Sequence, residues 1–293
     1  MSLRREMLQV ARLSPQSLSD GTDLVRDYIT SQLNDDGGFR DRGGRSDLYY
    51  TVFGLSCMEA LMMDVPGQKV AGWLQAFGEG EKLDFVHLCS LTRCWSATGL
   101  PNPHEAAMAS RILQWRTPDG GFNADSGAET ATAYANFLAL AAFQDLGQED
   151  KLSAPGMLAA TCASLRSRDG GFANAPHMPV GNTPAIAAAE AVMRSVGEGS
   201  PKDAATWLLQ KSYGAGGFFA VPAAPMPDLL STATGLHALS GMGVDIDPIR
   251  EDCLDYLDSL WVNKGSFYGN WGDDTLDTEY TFYGLLALGH LSV

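Results

Sequence analysis

Two kinds of helical pattern alternate along the chain. One is amphipathic: Pro103 to Trp115 and Lys202 to Leu209 carry charges on one face and Leu, Ile and Trp on the other. That is the pattern of a helix with one wet side. The other kind is apolar on every face. Thr130 to Phe143 and Ser231 to Met242 are built of Ala, Gly, Leu, Thr and aromatics, with few charges, which marks a helix buried all round.

A glycine-rich turn separates each wet helix from the dry one that follows. Asp-Gly-Gly-Phe occurs at 36–39, 119–122 and 169–172, with variants Ala-Gly-Gly-Phe at 215–218 and Lys-Gly-Ser-Phe at 264–267. Phe122, Phe172, Phe218 and Phe267 follow one another at intervals of 50, 46 and 49 residues. The interval from Phe39 to Phe122 is 83 residues, which leaves room for one degenerate unit with its turn at Gly78-Glu79-Gly80-Glu81. Six repeats of an outer wet helix and an inner dry helix close into two concentric rings. The predicted fold is an all-α (α/α)6 barrel, or toroid, over residues 19–293, preceded by an N-terminal arm of residues 1–18.

The inner helices align without gaps at their starts. Asp47, Asp228 and Asp277 each precede Thr by four residues, Gly by seven and Leu by eight. Asp84, Glu129 and Asn182 are assigned the first position in the other units. An acidic or amide side chain there caps a helix and faces its positive end.

The Gly-Gly-Phe turn followed by Asp-x-x-x-Thr resembles the prenyltransferase and squalene-oxidase repeat, from about Ser19 to Val293. In protein prenyltransferase β subunits, one inner helix opens Asp-x-Cys and the next Asp-x-x-His, and these three side chains hold zinc. Here the helices read Asp228-Leu229-Leu230 and Asp277-Thr278-Glu279-Tyr280. The thiolate is replaced by Leu230 and the imidazole by Tyr280, so the resemblance implies no zinc, and no other cofactor is expected. The cations that would neutralise a diphosphate are also missing between Phe219 and Pro227, and an Asp-x-Arg start is replaced by Glu129-Thr130-Ala131.

The other branch that the repeat resembles, the class II terpene cyclases, protonates an alkene with the middle aspartate of Asp-x-Asp-Asp-Thr. Asp277-Thr278-Glu279-Tyr280-Thr281 is the nearest match. It makes Glu279 and Asp277 the candidate catalytic pair, crowded carboxyls whose pKa would rise in a dry cavity. The structural alternative has Asp277 as a cap and Glu279 as a first-turn acid favoured by the helix dipole.

The inner-helix mouths contribute Tyr49, Tyr50, Phe53, His87, Tyr134, Asp228, Tyr280, Phe282 and Tyr283 as candidate ligand contacts. An aromatic wall with few charges suits an isoprenoid or lipid. Some of these rings instead fill the helix interfaces. His237 and His290 fall late on inner helices, where a core or rim role is the ordinary one.

Formal net charge is −15 over 293 residues, which argues against nucleic acid as a partner and against an anionic membrane surface. The five scattered cysteines form no C-x-x-C pair and read as reduced, buried thiols of a cytoplasmic protein. No stretch has the ~18 uninterrupted apolar residues of a membrane span, and the opening apolar run is too short for a signal peptide. The expected function is therefore an isoprenoid- or lipid-binding toroid without zinc or diphosphate machinery. A divergent prenyltransferase, a cyclase-like enzyme acting through Glu279, and a scaffold binding a helical protein partner are the alternatives.

Overall fold

The computed structural model describes residues 2–152, 155–200 and 202–292; Met1 and Val293, the outer limits of the expected arm and toroid, lie outside them. The helices are α1 (Leu3–Ala11), α2 (Pro15–Leu18), α3 (Gly21–Gln32), α4 (Leu48–Ala60), α5 (Gly67–Leu74), α6 (Phe85–Thr98) and α7 (Glu105–Ile112). They continue with α8 (Ala133–Leu146), α9 (Pro155–Ser164), α10 (Thr183–Ser195), α11 (Lys202–Trp207), α12 (Leu229–Gly241), α13 (Arg250–Leu260) and α14 (Thr278–Leu291). The even-numbered helices from α4 to α14 pack neighbour on neighbour, and α14 returns against α4 to close the inner ring. The odd-numbered helices from α3 to α13 make the outer ring. Two antiparallel hairpins, β1 (Tyr213–Gly214) with β2 (Gly217–Phe218) and β3 (Trp261–Val262) with β4 (Ser266–Phe267), frame the last two turns.

Five of the six turns are built around a buried phenylalanine. Phe39, Phe122 and Phe218 are fully buried, and the N–H of each donates to a side chain four residues past the cap of the following helix. The acceptors are Thr51 Oγ1 at 2.8 Å, Asn136 Oδ1 at 2.8 Å and Thr232 Oγ1 at 3.0 Å. A buried amide is thereby satisfied, which is the physical reason for the repeated threonine. The repeated glycine answers the ring itself. A Cβ on Gly54 would stand 2.3 Å from Phe39, and one on Gly284 would stand 2.3 Å from Phe267. Gly265 combines a φ of +87° with a backbone carbonyl oxygen 2.0 Å from where its Cβ would be, so neither its conformation nor its surroundings admit a side chain.

Every inner helix is capped by a side chain: Asp47, Asp84, Thr132, Asn182, Asp228 and Asp277 accept from the N–H three residues on. The third of these corrects the sequence reading. Glu129 is not a cap; it is exposed in the loop before α8, and Thr132 caps instead through Ala135 N–H at 3.1 Å. The turn sets this register, because Thr132 N–H bonds to Phe122 O as Asn182 N–H bonds to Phe172 O and Asp228 N–H to Phe218 O. Threonine is competent as a cap, so no acid is needed.

The arm contains a helix that crosses one end of the barrel. α1 packs against α4, α8 and α14, burying Leu3, Leu8 and Ala11. It is tied to three inner helices: Arg4 pairs with Glu59, Leu3 N–H donates to Gln144 Oε1 at 2.8 Å, and Glu6 pairs with Arg194 at 2.8 Å. All five cysteines are buried as free thiols.

Candidate functional site

Helical geometry selects which inner-ring residues face the axis. A cavity of about 280 Å³ is lined by Tyr49, Tyr134, Pro184 and Leu230, each the second residue after its helix cap. Below them lie Phe137, Ala188, Thr234 and Tyr283, fifth or sixth after the cap, and then Ala191, His237 and Leu286, ninth after it. Offsets of three and four recur because residues so spaced share one helix face. Seven residues of rise make the chamber roughly 10 Å deep. Met7 of α1 completes the lining among the ninth-position residues, so the arm helix forms the floor.

Glu279 is also the second residue after its cap, on α14, and is 9% exposed. Tyr49 Oη donates to Glu279 Oε1 at 2.7 Å. Burial pushes the Glu279 carboxyl up to about 7; the Tyr49 hydrogen bond opposes the rise, Asp277 adds to it, and Arg42 opposes it. Asp277 is 2% exposed and also raised, chiefly by burial. Its Oδ1 accepts from Tyr280 N–H at 2.8 Å and its Oδ2 from Arg42 Nε at 2.9 Å. One carboxylate thus caps and carries a counter-ion, while its neighbour is held as an acid near neutrality.

Around this pair the side chains divide between chamber and mouth. Tyr49 stacks edge-on to Phe53 with centroids 5.0 Å apart, and Phe53 lies 5.5 Å from Tyr283 and 5.9 Å from Phe282. Phe53 and Phe282 are buried behind the wall, whereas Tyr49, Tyr134 and Tyr283 are part of it. Tyr280 turns away: its hydroxyl donates to Asp273 Oδ2 at 3.0 Å, and Arg42 sits 5.0 Å over its ring. Asp228 spends both oxygens locally, on Ser231 N–H at 2.7 Å and the Ser231 hydroxyl at 2.8 Å.

His87 belongs to a second concavity at the mouth, of about 540 Å³, lined by Asp47, Tyr49, Tyr50, Asp84 and His87. Its Nδ1 is 2.8 Å from Asp84 Oδ2 and its Nε2 is 3.3 Å from Asp47 Oδ2. The Asp47 bond raises the imidazole to about 9, with burial opposing and Asp84 reinforcing, so it is a cation at neutral pH between two anions. Tyr49 is the wall shared by the mouth and the chamber.

Of the residues singled out from the sequence, the fold puts Tyr49, Tyr134 and Tyr283 in the chamber wall, joins Glu279 to that wall through Tyr49, and leaves Asp277 beside it as a cap paired with Arg42. It places Tyr50 and His87 at the mouth, and leaves Phe53 behind the wall, Tyr280 outside and Asp228 as a cap. Sequence reasoning missed Arg42, Met7, Phe137, Pro184 and Leu286. The offsets of two, five, six and nine would have found the last three; Arg42 lies in a loop and Met7 in the arm, where no periodicity points.

A family model described as the prenyltransferase alpha-alpha toroid domain matches three times, over residues 8–87, 85–195 and 185–292. Among solved structures, a glycosidase variant in complex with glucose has a similar fold, with a TM-score of 0.58 over 97% of this chain and 96% of that chain at 11% identity. A likeness at that identity shows the fold alone. A comparison with curated proteins returned no match. Among the described residues no helix is long and apolar enough to cross a membrane.

Proposed function

Since the chain belongs to the prenyltransferase α/α toroid family, we propose that it holds a small apolar ligand of the isoprenoid or lipid class inside the inner ring, without the zinc and diphosphate chemistry of prenyl transfer. The observation that carries this reading is the lining of the chamber. Leu230, where the resemblance would put a zinc thiolate, is part of an apolar wall with Phe137, Pro184, Ala188 and Leu286. A space of about 280 Å³ is near the lower end of the ~300–1,000 Å³ typical of small-molecule sites, which favours short chains. The mouth cation His87 is neutralised by Asp47 and Asp84, and Arg42 by Asp277 and Asp273, an arrangement that disfavours a diphosphate.

The hydrogen bond that joins Glu279 to Tyr49 of the chamber wall favours turnover as well. Glu279 at about 7 is matched to general acid catalysis near neutral pH. Such an acid suits protonation of an oxygen, in a hydroxyl or epoxide, better than that of a bare alkene, which asks for a stronger acid. The proton would pass from Glu279 to that oxygen, C–O cleavage would release water or open the epoxide, and the carbocation, facing the electron-rich rings of Tyr49 and Tyr283, would return a proton to the Glu279 carboxylate and leave an alkene.

Tryptophan fluorescence titration with geranyl diphosphate beside geraniol, ten-carbon chains suited to the chamber, tests the reading. Geraniol binding at least as tightly as the diphosphate is the expected result. Much tighter diphosphate binding would restore prenyl transfer, and binding of neither would move a protein-scaffold role to the front. Turnover that survives Glu279→Gln would remove the acid role.

A further inference from the structure

The floor of the chamber is polar where its walls are not. His237 lies at the bottom of the lining beside Met7 and is 7% exposed. Its Nδ1 is 3.0 Å from His290 Nε2. Its Nε2 is 3.6 Å from Glu6 Oε1, beyond hydrogen-bond length, and Glu6 is already engaged by Arg194 at 2.8 and 2.9 Å. Burial pushes both imidazoles down, His237 to about 4 and His290 to about 3, so both are neutral near pH 7.

A neutral imidazole pair has a single hydrogen on the Nδ1···Nε2 axis, and its position fixes what the outer nitrogen can do. The Glu6 carboxylate favours the tautomer with hydrogen on His237 Nε2, and His290 then donates to His237 Nδ1. Among the described residues, no acceptor lies within hydrogen-bond distance of His237 Nε2, with Glu6 Oε1 at 3.6 Å, and the side chain lines the cavity, so the donor is open to an acceptor there. Of the two polar side chains one level up, Thr234 already donates to Leu230 O at 2.7 Å, and Tyr283 presents its hydroxyl higher on the wall.

We propose that His237 is the ligand-reading residue of the chamber floor, and that the ligand is a short apolar molecule carrying a hydroxyl or carbonyl oxygen at the end that enters first. Nε2–H donates to that oxygen, and the apolar body extends roughly 10 Å up the wall to the Tyr49 and Glu279 level, so a ligand turned over by Glu279 carries a second oxygen at that end. The inference rests on the apolar-chamber reading, and it names the ligand class and its orientation.

The test titrates geraniol and myrcene, ten-carbon chains with and without a hydroxyl, against the wild-type protein, His237→Leu and His237→Gln, with thermal melts to show that each is folded. Comparing the alcohol-to-hydrocarbon affinity ratio between variants cancels the different costs of leaving water. The ratio should fall roughly tenfold in His237→Leu, the loss of about one good hydrogen bond, and be largely kept in His237→Gln, which retains a donor. His237→Met serves if the leucine variant does not fold. An unchanged ratio, with both ligands binding, overturns the role of His237 and leaves the chamber reading standing. If the wild-type protein binds neither ligand, the chamber reading falls and this inference falls with it.

Discussion

Tyr49 and Glu279 stand 230 positions apart in the chain, yet the hydroxyl of the first donates to Oε1 of the second at 2.7 Å. Each is the second residue after the cap of its helix, one on α4 and the other on α14. Their hydrogen bond therefore spans the seam where the first and last inner helices meet. The acidity of the candidate acid is tied to closure of the ring.

Tyr49→Phe should raise the Glu279 pKa above its value of about 7, because the lost hydrogen bond is one of the two influences holding it down. Carbon-13 NMR titration of labelled glutamate, with Glu279→Gln as the assignment control, reads the shift. The stability cost should be about 1 kcal/mol. A pKa that moves downward would mean that the tyrosine shields the carboxyl from water more than it bonds to it.

The contribution of Glu279 to stability should fall as pH rises from about 4.5 to about 7. The folded chain holds the Glu279 proton more tightly than the unfolded chain does, since the pKa rises from 4.5 to about 7. The stabilisation linked to this proton is complete below the unfolded pKa and is lost as pH passes the folded one. The loss is on the order of 3 kcal/mol. His87, raised from 6.5 to about 9, adds a slope of the same sign between those values. His237 and His290, lowered by burial to about 4 and about 3, add a slope of the opposite sign below pH 6.5, so the Glu279 decline is read as the difference between urea melts of the wild-type protein and Glu279→Gln across pH.

Two glycine-to-alanine changes should have opposite signs. Gly54→Ala forces a methyl group to within 2.3 Å of the buried Phe39 ring and should cost about 3 kcal/mol through overpacking. Gly72→Ala, in the outer helix α5, meets nothing within 4 Å and should stabilise by about 0.5–1 kcal/mol through helix propensity. Thermal denaturation compares them directly. A neutral Gly54→Ala would show that the turn ring moves easily, against the close-packing account of the repeat.

Much of the architecture was legible because each repeat carries its own local instructions. Phe39, Thr51 and Gly54 recur as Phe218, Thr232 and Gly235, and the structure shows one device behind them: a buried ring on a glycine, its N–H held by the threonine. Glu129 was misplaced because an acid looks like a cap on paper, whereas the backbone bond from Thr132 to Phe122 sets the register.

The sequence by itself determined the ring of six helical hairpins, because hydrophobic period, turn and cap are all encoded within about fifty residues of one another. It also marked Tyr49, Tyr134, Tyr283 and Glu279 as residues at helix mouths. Only the tertiary structure decided which of them face one another, that Tyr280 turns outward to Arg42, and that α1 closes the chamber with Met7 beside His237. Those outcomes depend on where the ring closes and on side chains hundreds of residues apart, and local periodicity carries no record of either.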